Sequence, residues 1–170
     1  MAEFWDIVDK NGNKTGRIHK KGDEMQDGEF HLSVSVWIKN SEGKYLISKR
    51  VSTKVADANM WETTSGSALA GEDGITAALR EVSEEVGISL NKENGKLFTT
   101  YTYPHSKGKG GAYYEVWVFE QDVKVEEVKL QKEETCDFMF ATSEQIMSLA
   151  QKGEFIKFDY LTSLFNEKGE

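Results

Sequence analysis

One cysteine, Cys136, and one proline, Pro104, stand in 170 residues. A lone thiol excludes an intrachain disulfide framework, so stability must come from a packed core. No apolar run approaches the roughly 20 residues that span a bilayer, and no basic-then-apolar leader opens the chain. Bases are in deficit too: Lys plus Arg number 21 against 29 Asp plus Glu, a net charge of -8. That balance argues against a nucleic-acid polymer or an anionic membrane as the main partner. Small anionic substrates stay open, because a cation and a few local bases can reverse the sign at one site. There is no repeat, low-complexity tract or linker-like stretch. We expect one cytoplasmic domain over residues 1–170, with 1–30 as an N-terminal hairpin and loop extension.

Several stretches alternate as strands do. Phe4 to Val8 and Thr15 to His19 flank an Asn11-Gly12 turn and read as a hairpin. Leu32, Val34, Val36 and Ile38 alternate with Ser33, Ser35 and Trp37, and Lys44 to Arg50 returns. Leu97 to Tyr103 and Tyr113 to Phe119 read as strands around a basic, glycine-rich loop with His105, Lys107 and Lys109. Asp122 to Lys132 reads as a surface strand plus loop, and Phe138 to Phe140 as a short strand. Thr142 and Gln145 have the spacing of a capping box for a helix to about Gln151, and Phe155 to Phe165 fits a last short helix. Periodicity alone gives a mixed α/β chain.

The stretch Gly66 to Ile88, GSALAGEDGITAALREVSEEVGI, organises the rest. Its second half is rich in helix formers, with Asp73 as cap and Gly87 as stop. Ile75, Ala78, Leu79, Val82 and Val86 make an apolar face. Beside it Glu81, Glu84 and Glu85 stand at i, i+3 and i+4 and repel one another. Two readings fit them: a solvated helix face, or a site where a hard cation such as Mg²⁺ or Mn²⁺ cancels the repulsion. Lys49 and Arg50 close a strand next to a loop, either as a solvated end or as bases that reach an anionic substrate. Glu115 is a carboxylate among aromatics, explained by a sheet edge facing water or by a place in a cation site. Glu72 precedes the helix, as a fourth ligand or as a partner of the local backbone.

The pattern of Gly66, Glu72, Arg80, Glu81, Glu84, Glu85, Gly87 and Ile88 resembles the Nudix box position for position. The resemblance implies a Nudix α/β/α sandwich with a mixed sheet, the box forming loop, helix and loop. It implies a MutT-like pyrophosphohydrolase that cleaves the diphosphate linkage of a nucleoside diphosphate joined to another moiety. Mg²⁺, or Mn²⁺, would be held by Glu81, Glu84 and Glu85, with Glu115 as a candidate further ligand or base. Glu81 would also orient or deprotonate water, Arg80 would orient Glu81, and Gly66 would shape the helix entry. Gly66, Lys49 and Arg50 are candidate substrate contacts. Trp5, Trp37 and Trp117, with the hairpin, either suit a homodimer surface or complete the monomer core, and we expect the homodimer.

The opening, Trp5-Asp6-Ile7-Val8-Asp9, Gly16 and His31, further resembles the Nudix branch that includes isopentenyl-diphosphate isomerase. That enzyme needs a cysteine in the segment after the tryptophan, where Thr63-Thr64-Ser65-Gly66 stand, and a hydroxyl cannot supply a thiolate. It also uses a histidine there that this chain lacks; His19 and His31 match its earlier metal histidines loosely. We therefore expect a hydrolase with isomerase-like architecture. The alternatives are an isomerase-like enzyme and a noncatalytic nucleotide-binding sensor.

Overall fold

The computed structural model describes residues 1–105 and 109–166, so Lys107 lies outside the described residues. The sheet is built on β3 (Phe30–Lys39), whose buried pattern reflects elements packed on both faces. To one side β3 pairs antiparallel with β1 (Phe4–Val8), which carries β2 (Lys14–Lys20). Antiparallel β4 (Tyr45–Arg50) also joins β3 and leads on to β5 (Trp61–Glu62) and β9 (Thr135–Ala141). Two further strands lie along β3: antiparallel β6 (Thr64–Ser67) and parallel β8 (Gly111–Glu120). β7 (Gly95–Pro104) pairs with β8. Nine strands therefore make one mixed sheet among the described residues.

Strand alternation sends side chains to two cores. Val34, Val36 and Ile38 pack with Ala77, Ala78, Val82 and Val86 of α1 (Gly74–Val86). Trp37, Ile47 and Val116 pack on the other face with Ile146 of α2 (Ser143–Gln151) and with Leu161 and Leu164 of α3 (Leu161–Asn166). The result is helix, sheet and helix in three layers. No helix among the described residues is long and apolar enough to cross a membrane.

Several expectations need correction. Residues 122–132 form no strand; they hold a single 3-10 turn, Val125–Glu127. The last helix starts at Leu161 rather than Phe155, because Phe155 bridges to Trp61 and sits in the core. Trp37 is fully buried and Trp5 nearly so, and the Trp117 indole is tied to Glu115, so the monomer itself uses these rings. The N-terminal hairpin is joined to the sheet and to the loop before α1. β1 is hydrogen-bonded to β3, and its Phe4 carbonyl and Asp6 carboxylate accept the Ala70 and Gly71 amides at 2.8 Å each.

Candidate active site

α1 begins and ends where its sequence says. The Asp73 carboxylate accepts the Thr76 amide at 2.9 Å. Gly87 adopts a left-handed φ of 72°, which a side chain would strain, and its amide donates to the Ser83 carbonyl.

Arg80 is the hub of the acidic face. Its Nε and Nη2 donate to the two Glu72 oxygens at 2.8 and 2.9 Å, and Nη2 also reaches the Ser67 carbonyl at 2.9 Å. Its Nη1 donates to Glu81 Oε1 at 2.9 Å and Glu84 Oε2 at 3.2 Å. The hydrogen bond to Glu72, reinforced by the Glu81 charge, raises the guanidinium pKa. Glu72 also accepts the Leu69 amide at 2.9 Å, so it is a structural partner of the loop and Arg80. Burial pushes the Glu72 pKa up, but Arg80 and that amide outweigh it and hold it below the ordinary value.

Gly66 explains itself by contact. A Cβ at this position would overlap the Glu81 carboxylate, so the strand must be bare where the helix carboxylate leans on it. Burial, opposed by Arg80, raises the Glu81 pKa. Glu85 is more extreme. Burial and then the charges of Glu62, Glu81 and Glu134 lift its pKa well above the ordinary carboxylate range. Its Oε2 is buried without a hydrogen-bond partner among the described residues. Glu84 is the exposed member of the three.

Glu115 is not brought to this group. It lies in β8, flanked by β3 and β7, so neither a sheet edge nor the glutamate cluster explains it. Its Oε2 accepts the Trp117 indole N–H at 2.9 Å, and it packs on Gly74 at the start of α1. Gly74 and Glu84 are about 15 Å apart along a helix rising 1.5 Å per residue. Beside Glu115 a cleft of about 140 Å³, lined by Asp6, Lys14 and Asp73 among others, is smaller than the roughly 300 Å³ of ordinary ligand pockets.

Arg50 is engaged: Nη1 donates to both oxygens of Glu62 at 3.0 and 3.1 Å, while Nε and Nη2 donate to the Ala56 carbonyl. Lys49 lies over the Trp61 ring at 5.8 Å. Lys109 is exposed. His31 stacks on Trp5 at 4.1 Å, and Trp5 stacks in turn on His19. Burial, aided by the nearby His105, holds the His31 imidazole down at about 4.

Sequence reasoning missed Glu62, Lys54 and Glu134. Lys54 pairs with Glu134, and Glu62 is the carboxylate whose charge weighs most on Glu85. The only signal was a charged residue inside a short strand after Trp61. Also missed was a polar floor on the opposite sheet face. Register sets Ser67, Ser33, Tyr114 and Tyr101 in one row across β6, β3, β8 and β7. The Tyr101 and Tyr114 rings stack at 4.9 Å, and Tyr160, which accepts the Trp37 indole N–H at 3.2 Å, lies 5.8 Å from Tyr101.

Among the described residues no three Asp, Glu, His or Cys side chains converge as a finished metal cage. The donor chemistry nonetheless fits a hard divalent cation: carboxylate oxygens, mutual repulsion, and a buried Glu85 oxygen without a partner.

The family model for the NUDIX domain matches residues 29–163, and the chain belongs to that family. It is 37% identical over 167 residues to an uncharacterized Nudix hydrolase of Listeria monocytogenes, covering 98% of this chain and 95% of that protein. It is 31% identical over 108 residues to an isopentenyl-diphosphate delta-isomerase of Streptomyces avermitilis, covering 62% of this chain and 55% of that protein. The crystal structure of DR0079 from Deinococcus radiodurans superposes with a TM-score of 0.71 at 17% identity, over 99% of this chain and all of that one. The protein is a Nudix-type pyrophosphohydrolase.

Proposed function

We propose that this site hydrolyses the diphosphate linkage of a nucleoside diphosphate joined to another moiety, with Mg²⁺ as cofactor and residues 1–170 as the working unit. The observation that carries the reading is Glu85 Oε2, buried and without a partner beside Glu81 and the Arg80 hub. Glu81, Glu84 and Glu85 would hold a divalent cation, which would supply charge neutralisation at the diphosphate and make a water more acidic. The chain's own residues do the rest. Arg80 fixes the Glu81 carboxylate through Nη1, and bare Gly66 gives that carboxylate its seat. Glu81, oriented by Arg80, receives the proton of the attacking water at a carboxylate oxygen. Mn²⁺ has the same taste for oxygen and would substitute. The serine and tyrosine floor offers hydroxyls and ring faces to the nucleoside half. The isomerase reading lacks its thiol: Thr63 donates its hydroxyl to the Val36 carbonyl, and Cys136 is exposed on β9 against the Lys49 and Arg50 carbonyls.

The test is a product screen over dinucleoside polyphosphates, nucleotide sugars, ADP-ribose, coenzyme-linked diphosphates and nucleoside triphosphates, with and without Mg²⁺. Isopentenyl diphosphate is included as a separate arm. We expect Mg²⁺-dependent cleavage within one of the diphosphate classes. No metal-dependent cleavage by folded protein, or comparable conversion of isopentenyl diphosphate to its isomer, refutes the proposal.

A further inference from the structure

We propose that Glu62 is a further carboxylate of the cation site, and that Arg50 is the counter-ion it releases when the cation binds. The inference rests on the functional reading above.

Glu62 is nearly fully buried in β5, and its charge is the largest electrostatic influence on Glu85. Geometry sets Glu62 beside the last turn of α1: Glu62 is ion-paired to Arg50, Arg50 pairs across the sheet with Thr135, and the Thr135 hydroxyl donates to the Glu85 carbonyl at 3.4 Å. Arg80 is shared among Glu72, Glu81 and Glu84, Arg50 is taken by Glu62 and Lys54 by Glu134. Glu85 has no base of its own among the described residues.

Arg50 grips Glu62 in a form that can be exchanged. Both carboxylate oxygens share the single nitrogen Nη1, while Nε and Nη2 are spent on the Ala56 carbonyl in the segment 51–60. Two parallel N–H bonds from the fork would be a stronger and more specific hold. Glu62 and Glu85 would both serve to hold a divalent cation, which would give the unpartnered oxygen a counter-charge and take over the part the Arg50 guanidinium plays for Glu62. The released Arg50 then presents its planar fork to a diphosphate. Arg50 thus becomes a substrate contact only in the loaded site.

The experiment measures Mn²⁺ affinity from the spin-resonance signal of free Mn²⁺, in wild type, Glu62→Gln, Arg50→Met, the double variant and Glu85→Gln. Loss of one carboxylate ligand in Glu62→Gln should weaken Mn²⁺ about tenfold. Arg50→Met should tighten it, and that gain should vanish in the Glu62→Gln background, a coupling that a remote charge would not produce. If Glu62→Gln does not fold, Arg50→Met and the double variant carry the comparison, with the double weaker by about tenfold. Equal Mn²⁺ affinity with and without the Glu62 charge overturns the inference. Wild-type affinity in Glu85→Gln would instead overturn the functional reading, and Glu85→Gln weakened alone defeats only the role of Glu62.

Discussion

Replacing Arg80 with Gln should be the most damaging single change on the acidic face. The side chain makes five hydrogen bonds to Glu72, Glu81, Glu84 and the Ser67 carbonyl, and three of those partners are carboxylates. Side-chain exposures of 22% for Arg80, 16% for Glu72 and 13% for Glu81 put most of this network out of water. Breaking a fully buried pair costs about 3–5 kcal/mol; residual exposure reduces that here to about 2–4 kcal/mol. In a domain of this size each kcal/mol moves Tm by about 2–4 °C, so metal-free protein should melt roughly 5–15 °C lower. The pH response should change as well. Glu72, with its depressed pKa, contributes stability above its ordinary value of 4.5 that is lost as pH falls through the folded pKa. Without Arg80 only the Leu69 amide opposes burial, so that contribution should shrink. Arg80→Lys keeps the charge but not the fork, so it should recover part of the Tm and little of the activity. Thermal melts by circular dichroism between pH 3.5 and 7.5, with steady-state rates, provide the check. A Gln variant that melts within about 2 °C of wild type and keeps its kcat would refute the hub.

Gly66→Ala drives a methyl into the Glu81 carboxylate and should lower kcat by about a hundredfold, the usual cost of misplacing a reacting group by an ångström, while circular dichroism stays native. Mg²⁺ at a hundred times its dissociation constant should stabilise wild type by about 2.7 kcal/mol; Glu84→Gln and Glu85→Gln should lose most of that gain without melting earlier in its absence, and an undiminished gain would move the cation elsewhere. His31, held down to about 4 from 6.5 by burial, resists protonation in the folded state, so its share of stability is full above 6.5 and lost as pH falls to about 4. The ceiling is roughly 3 kcal/mol, and a His31→Phe variant should show a flatter pH profile across that window in urea melts.

How much could be read beforehand depended on whether the cause was local. The cap at Asp73, the stop at Gly87 and the capping box at Thr142 involve residues a few positions apart, and the strands around Val34 and Val116 carry their own alternation. Arg80's contacts could be anticipated because Glu72, Glu81 and Glu84 are all within one short stretch. Glu115 misled because its explanation is tertiary: only the pairing of β8 with β3 and β7 shows that it meets Gly74. Glu62 stayed hidden for the same reason, since neither Arg50 nor Glu85 is near it in sequence. Trp5 and Trp37 were misplaced at the surface because an aromatic's burial is decided by what packs on it, here His31 and Phe155.

The hairpin's grip on the loop before α1 bears on where this protein can be cut. The family match begins at residue 29, which invites trimming to the matched segment. Such a cut removes the Phe4 carbonyl and the Asp6 carboxylate, and with them the acceptors of the Ala70 and Gly71 amides. Those two amides immediately precede Glu72, the anchor of Arg80. The boundary by similarity and the boundary by mechanics differ: the first strand belongs to the box it braces.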